Sequence, residues 1–97
     1  MKHEHIIMEL EDVARQLDVT VRYEKGDFEG GFCILKDNRI LLINKKLAPN
    51  RKAAVLAVAM QEIGLENVFL KPALREYIED EVARASRTTK QGQVSAR

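Results

Sequence analysis

The residues Gln61, Glu62 and Leu65 stand in the frame of a zinc-binding helix motif, H-E-x-x-H, which this chain reads as Q-E-I-G-L. In that motif two histidines four residues apart bind the metal from one helical face, and the glutamate acts as general base on the metal-bound water. Glutamine is a poor zinc ligand and leucine is none, so only Glu62 suits its role. We interpret the three residues as a vestigial site, and expect no catalysis and no bound metal or other cofactor.

The same stretch also fits the end of a helix. If Gly64 is the first residue beyond the cap, Leu65 packs against Met60, which is the usual companion of a Schellman cap. This interpretation leaves Glu62 unexplained, because a carboxylate in the last turn opposes the helix dipole. The sequence leaves open whether Gln61 and Glu62 share a pocket or point to water.

Hydrophobic periodicity predicts the elements that position these residues. Helical spacing marks a first and a last apolar stripe, formed by Ile6, Leu10, Val13, Ala14, Leu17 and by Leu74, Tyr77, Ile78, Val82. Alternation over residues 19–24 indicates a strand, and the apolar runs 32–35 and 40–43 indicate a β-hairpin whose second strand is central. The run 53–60 is apolar almost all round, so the helix that Pro49 opens must be covered on more than one side.

The order of these elements predicts one α+β domain over residues 1–85. It contains an N-terminal helix, a three-stranded and mostly antiparallel sheet with a hairpin, a buried helix and a C-terminal helix. The segment 67–70 is either a short strand or a loop pinned by Phe69. Residues 86–97 hold one valine and no other large apolar side chain, which predicts a disordered basic tail.

The stretch from Leu10 to Leu65 resembles the N-terminal part of ImmA/IrrE-type zincin domains. The likeness lies in the order and spacing of A-x-x-L at 14–17, R-I-L-L-I-N at 39–44 and P-x-R at 49–51, which leads into the active-site helix. The resemblance implies a minimal zincin-like fold that has lost both helix-borne zinc ligands. A second similarity, Y-E-K-G-D-F-x-G-G at 23–31, is to small bacterial proteins and implies no function.

Composition bounds the class of protein. The chain has 97 residues, 45% of them apolar and 32% charged, with a net charge of +1. No apolar run approaches the length of a membrane span, and the start M-K-H-E-H lacks the features of a secretory signal. The single cysteine, Cys33, is expected to be a buried and inert thiol, which suits a reducing compartment. We therefore expect a soluble, cytoplasmic protein with no membrane partner.

Basic and imidazole side chains offer two further candidate sites. Four basic residues near the start of the buried helix are candidates for polyanion binding together with the basic tail: Lys45, Lys46, Arg51 and Lys52. Aromatic residues are few and are not interleaved with these basic residues, so nucleic acid is not the expected ligand. His3 and His5 can chelate a metal weakly, and the sequence does not decide whether they do.

Three functions follow from these observations. The leading hypothesis is a catalytically inactive zincin-like domain that acts through protein–protein contacts or self-association, with a strand edge available for pairing. The first alternative is a nucleic-acid or polyanion binder that uses the basic residues. The second is a residual metal-dependent hydrolase centred on Glu62.

Overall fold

Three strands form one sheet, and helices cover one of its faces. The computed structural model describes the backbone of residues 2–96 and the side chains of residues 2–86. The elements are α1 (His3–Gln16), β1 (Val19–Glu24), β2 (Gly30–Leu35), β3 (Asn38–Asn44), α2 (Pro49–Ile63) and α3 (Pro72–Ala96). The predicted α+β class is confirmed. The predicted basic tail, residues 86–97, lies outside the described side chains except for Ser86.

The sheet has the order β1-β3-β2, so β3 is central, as its apolar run predicts. β2 pairs with β3 antiparallel, whereas β1 pairs with β3 in parallel. The sheet is therefore mixed, and the expected antiparallel arrangement holds for the hairpin alone. The reason is that residues 25–29 carry the chain past the end of β3 to the far side of the sheet, so β3 returns between the two earlier strands.

A tight turn fixes the register of the hairpin. Lys36 and Asp37 both have positive φ, 51° and 69°, and they join the paired residues Leu35 and Asn38. Two positive φ angles in a two-residue loop are the geometry of a type I′ turn, whose twist matches that of the strands. Because side chains alternate between faces, this register decides which residues of β2 meet the helices.

The core lies between the sheet and the helices. Leu41 and Ile43 of β3 are fully buried on the helix-covered face, and Phe32 of β2 packs against the same cluster. The helices contribute the buried residues Ile6, Leu10, Val13, Ala14, Ala53, Leu56, Ala57, Ala59, Met60, Leu74 and Ile78. The predicted apolar stripes of the first, buried and last helices are thereby confirmed.

The segment between α2 and α3 is a loop, and the residues that hold it in the core are not the one that the sequence predicts. Phe69 is 80% exposed, whereas Leu65 and Leu70 are buried in the core. The expectation that Phe69 pins the loop is therefore wrong. The two leucines reach the space beside α3, and Phe69 between them is left on the outer side.

Polar contacts attach the sheet to its surroundings. The Tyr23 hydroxyl donates a hydrogen bond to the Glu11 carboxylate, and the Arg39 guanidinium donates to the Leu17 carbonyl. Burial, and next the bond to Glu11, raise the pKa of Tyr23. The Asn44 side-chain amide donates to the carbonyls of Gly26 and Phe28 at 2.9 and 2.7 Å. These bonds hold the crossing segment 25–29 against the end of β3.

Within the described residues, no helix is long and apolar enough to cross a membrane.

Gly30 is expected to be needed for packing and Gly31 is not. A Cβ at Gly30 would lie 2.7 Å from Val55 Cγ1 and 2.8 Å from the Leu42 carbonyl oxygen, whereas a Cβ at Gly31 would meet nothing within 4 Å. Gly30→Ala should therefore lower the free energy of unfolding by roughly 1–3 kcal/mol. Gly31→Ala should leave it unchanged or raise it by up to about 1 kcal/mol. Urea unfolding of both variants checks this, and equal effects would contradict the packing.

Tyr77 gives a prediction about alkaline pH. Its hydroxyl is buried without a hydrogen-bond partner among the described residues, and burial raises its pKa from 10.0 to about 12. Between these values the unfolded chain has lost the proton and the folded chain keeps it, so stability falls as pH rises. Tyr77→Phe should weaken this fall and should cost nothing at neutral pH, where an unsatisfied hydroxyl costs about 1–3 kcal/mol. Urea unfolding at pH 7, 10 and 11.5 measures both effects; a steeper alkaline fall in the variant would refute the assignment.

Candidate functional site

The end of α2 explains part of the Q-E-I-G-L stretch. The helix stops at Ile63, and Gly64 follows with φ 108° and ψ 129°, a conformation that only glycine adopts readily. The Gly64 N–H donates to the Met60 carbonyl at 3.1 Å, which is one bond in place of the expected Schellman pair. Leu65 is 7% exposed and joins the same core cluster as Met60. A helix stop with a buried leucine behind it is therefore what these residues form.

The three residues of the vestigial site do not face one common space. Gln61 and Leu65 line a cleft against α3, here called the Gln61 cleft, together with residues that include Arg75 and Glu79. Glu62 lines a different cleft on the other side. Successive helical residues point about 100° apart, so α2 directs Gln61 and Glu62 to separate surfaces. Since Leu65 lies beyond the helix, the position of the second histidine is not on the helical face at all.

The four basic residues considered for polyanion contact differ in their surroundings. Lys45 and Lys46 are exposed between β3 and α2. Arg51 makes two hydrogen bonds to the Glu29 carboxylate, at 2.5 and 3.1 Å, and the bond to Glu29 raises the pKa of Arg51. The Lys52 ammonium lies 5.7 Å from the centre of the Tyr23 ring. One of the four charges, that of Arg51, is therefore matched by a carboxylate of the chain itself, and Lys52 lies over an aromatic ring.

The histidines lie at the start of α1. His3 and His5 are exposed, and two residues on a helix point about 200° apart, so the intact helix does not direct them to one ion. His5 Nε2 is 2.9 Å from a Glu9 carboxylate oxygen, to which Lys71 Nζ also donates at 2.8 Å. The bond from Lys71 lowers the pKa of Glu9. Among the described residues, no three His, Cys, Asp or Glu side chains are grouped as metal ligands would be.

A second cleft lies between the start of β2 and the helices. This Gly30 cleft, of about 400 Å³, has a floor of small apolar side chains from α2 and a rim of charged ones: Glu29, Gly30, Gly31, Arg51, Ala54, Val55, Val58, Ala59, Glu62, Glu81, Arg84 and Ala85. Arg51 is bound to Glu29, and Arg84 lies 2.9 Å from Glu81. The cleft is thus apolar at its base, and its rim carries paired charges.

The outer edge of β2 is apolar and exposed. Ile34 is 65% exposed and Leu35 is 55% exposed, while Cys33 is also exposed. The expectation that Cys33 is buried is therefore wrong. Cys33 pairs with Ile40, on the sheet face opposite to that of Leu41 and Ile43, and neither Cys33 nor Ile40 belongs to the core cluster that the described helices form. The apolar run 32–35 predicts the strand, but it does not show that one face of the strand is left uncovered.

The hydrogen-bond phase of the hairpin determines which backbone groups of β2 are unpaired. The Asn44 N–H donates to the Glu29 carbonyl at 2.9 Å, so residues 29 and 44 form a hydrogen-bonded pair. In an antiparallel ladder such pairs recur at every second residue. Residues 31, 33 and 35 consequently bond towards β3, and the N–H and C=O groups of Gly30, Phe32 and Ile34 point outwards along the free edge.

Sequence reasoning found the residues of α2 and missed the site that β2 forms. The Gly30 cleft joins segments that are far apart in the chain, so no local pattern marks it. The signal for the edge was present in G-G-F-C-I-L, a strand without a charged residue or proline, but its position in the sheet was not known.

Comparisons with known proteins add no relationship. No protein-family model, curated protein or solved structure was found to match the chain.

Gly64 is expected to be required for the end of α2. Its positive φ disfavours any side chain, and a Cβ would also lie 2.9 Å from a Glu66 carboxylate oxygen. Gly64→Ala should lower the free energy of unfolding by roughly 1–2 kcal/mol. Gly31→Ala is the matched control, because it adds the same methyl group where there is space. Thermal and urea unfolding measure the difference, and a Gly64→Ala variant as stable as the control would show that the helix end can rearrange.

Proposed function

We propose that the protein is a non-catalytic interaction domain that binds a protein partner by strand addition at the free edge of β2. The observation that carries the proposal is the exposed, uncharged edge strand Gly30–Leu35, with Ile34 and Leu35 on its surface. Unpaired backbone groups along such an edge form hydrogen bonds with an added strand, and neighbouring pockets select its side chains. The Gly30 cleft beside this edge is a pocket of that kind.

The two edges of the sheet differ in a way that supports this proposal. Soluble proteins block exposed edges with charged side chains, prolines or bulges, because an open edge pairs with other chains. The β1 edge carries Arg22 and Glu24, joined by a 2.7 Å ion pair. β2 carries no charged residue, no proline and no bulge in its register with β3. An edge left without protection is best understood as one that has a partner.

We further propose that α2 is a degenerate zincin-type helix, in keeping with the resemblance of its motifs. Three observations support a loss of hydrolytic function. Gln61 and Leu65 have no ligand chemistry suited to zinc, α2 ends before Leu65, and Glu62 lines a different cleft from Gln61. On this proposal the helix is retained because its buried face supports the fold.

A comparison of two surface variants tests the role of β2 in cells. Ile34→Lys places a charge on the edge strand, and Met8→Lys makes the same change on α1 at a residue of equal exposure, 64% against 65%. Each tagged variant is expressed, crosslinked in cells and purified under denaturing conditions. Proteins crosslinked to the original chain, including further copies of it, should persist with Met8→Lys and decrease at least about fivefold with Ile34→Lys, as when an interface contact is lost.

The two variants must first show equal expression and equal circular dichroism, so that misfolding does not imitate lost binding. The proposal fails if Ile34→Lys keeps the same crosslinked proteins in the same amounts as the original chain. It also fails if the original chain yields no crosslinked species.

A further inference from the structure

We infer that the partner of the β2 edge is a second copy of this chain, joined through antiparallel pairing of β2 with β2 in a register centred on Phe32. The inference rests on the proposed binding at β2 and specifies its occupant. A two-fold axis perpendicular to the sheet would pass through the Phe32 pair, and the two sheets would join into one of six strands. Such an interface uses the same surface on both copies, so the surface must be complementary to itself.

The backbone of β2 meets this requirement in the stated register. The outward-pointing groups belong to Gly30, Phe32 and Ile34, as the phase of the β2–β3 ladder shows. Centring on Phe32 places Gly30 opposite Ile34 of the second copy, Phe32 opposite Phe32, and Ile34 opposite Gly30. Each of these is then a hydrogen-bonded pair, so every outward group of the strand is used.

The side chains are also complementary in size. On the helix-covered face, the large exposed side chain of Ile34 would lie across from Gly30 of the other copy, which has no side chain. On the opposite face, Cys33 would lie across from Gly31, above which a Cβ meets nothing within 4 Å. Large residues thus face glycines at both kinds of position. The space above Gly31 is open, whereas Val55 fills the space directly above Gly30, so Ile34 of the second copy would pack beside Val55.

The Gly30 cleft supplies a place for Ile34 of the second copy. Gly30 lies on the helix-covered face opposite Ile43, and its α-carbon is next to Val55. A side chain added across from Gly30 would therefore point over the apolar floor formed by Val55 and Val58. Burial of this aliphatic side chain removes apolar surface from water and so favours association. The symmetric interface makes this contact twice, once for each copy.

The absence of charge in β2 favours a second copy over a charged peptide. Opposed residues in the register carry no like charges within Gly30–Leu35, because the strand has none. Four of the five charged residues on the rim of the cleft form the Arg51–Glu29 and Arg84–Glu81 pairs, and Glu62 is the fifth. A partner strand that is itself neutral and apolar fits this surface, and β2 is such a strand.

Sedimentation equilibrium of the purified chain over a range of concentrations tests the assembly. We expect a species of twice the 11.1 kDa chain mass, in equilibrium with the monomer. Ile34→Lys should raise the dimer dissociation constant at least tenfold, as expected when an anchor residue is lost from an interface. Met8→Lys, which adds the same charge at an equally exposed residue of α1, should leave it within about twofold.

Disulfide trapping under a mild oxidant tests the register. Gly31→Cys places a thiol opposite Cys33 of the second copy, at a non-hydrogen-bonded pair, where opposed Cβ atoms come closer together than at a hydrogen-bonded pair and so nearer to the separation in a disulfide. This variant should give a covalent dimer on a non-reducing gel at least ten times faster than the original chain. Thr20→Cys adds an exposed thiol on β1 instead and serves as the control. It should crosslink no faster than the original chain.

Each other outcome counts against the inference. A chain that remains monomeric at every concentration overturns it. Rapid crosslinking of the original chain through Cys33 alone would place the axis at Cys33, and crosslinking of Thr20→Cys would place β1 at the interface; either overturns the register. A strict monomer whose cellular crosslinks still depend on Ile34 would refute the second copy and leave strand addition to another protein standing.

Discussion

The arrangement of the molecule depends on the pairing of β3 along both of its edges. Its run of four apolar residues, Ile40–Ile43, cannot lie at the surface of a small protein without a large cost in exposed apolar area. Strands on both sides and helices over one face reduce that exposure. Leu41 and Ile43 then form the base of the core, on which α1 and α2 pack. The parallel position of β1 and the crossing segment held by Asn44 both follow from this central placement.

The two candidate regions of the molecule, the end of α2 and strand β2, differ in how clearly the sequence marks them. The end of α2 drew attention because of its motif, yet Gly64 turns the chain there and Leu65 goes into the core. The region with the larger unmet bonding capacity is β2, whose outward backbone groups have no partner within the described chain. The sequence motif and the unpaired backbone groups thus lie in different parts of a small fold.

Local sequence pattern was enough to predict the helices and strands, but not enough to predict how the strands are arranged within the sheet. Helical spacing in α1, α2 and α3 follows from burial of one face, so the stripes that contain Ala14, Met60 and Ile78 could be predicted directly. The parallel pairing of β1 with β3 joins residues about twenty positions apart and leaves no periodic signal. The burial expected for Cys33 is wrong because an apolar run indicates a strand and not whether both faces of that strand are covered. The Gly30 cleft could not be foreseen, since it forms only where the start of β2 and residues of α3 come together beside α2.

The contrast between the two edges of the sheet also limits the size of any assembly built from it. A sheet grows without end only when each added unit presents a fresh edge that accepts another strand. Here β2 is open, while the opposite edge carries the paired charges of Arg22 and Glu24. Joining two copies through β2 would use both open edges and leave a charged one at each end. The mixed topology places the charged strand β1 and the uncharged strand β2 on opposite sides of β3. It therefore favours a closed dimer over a fibre.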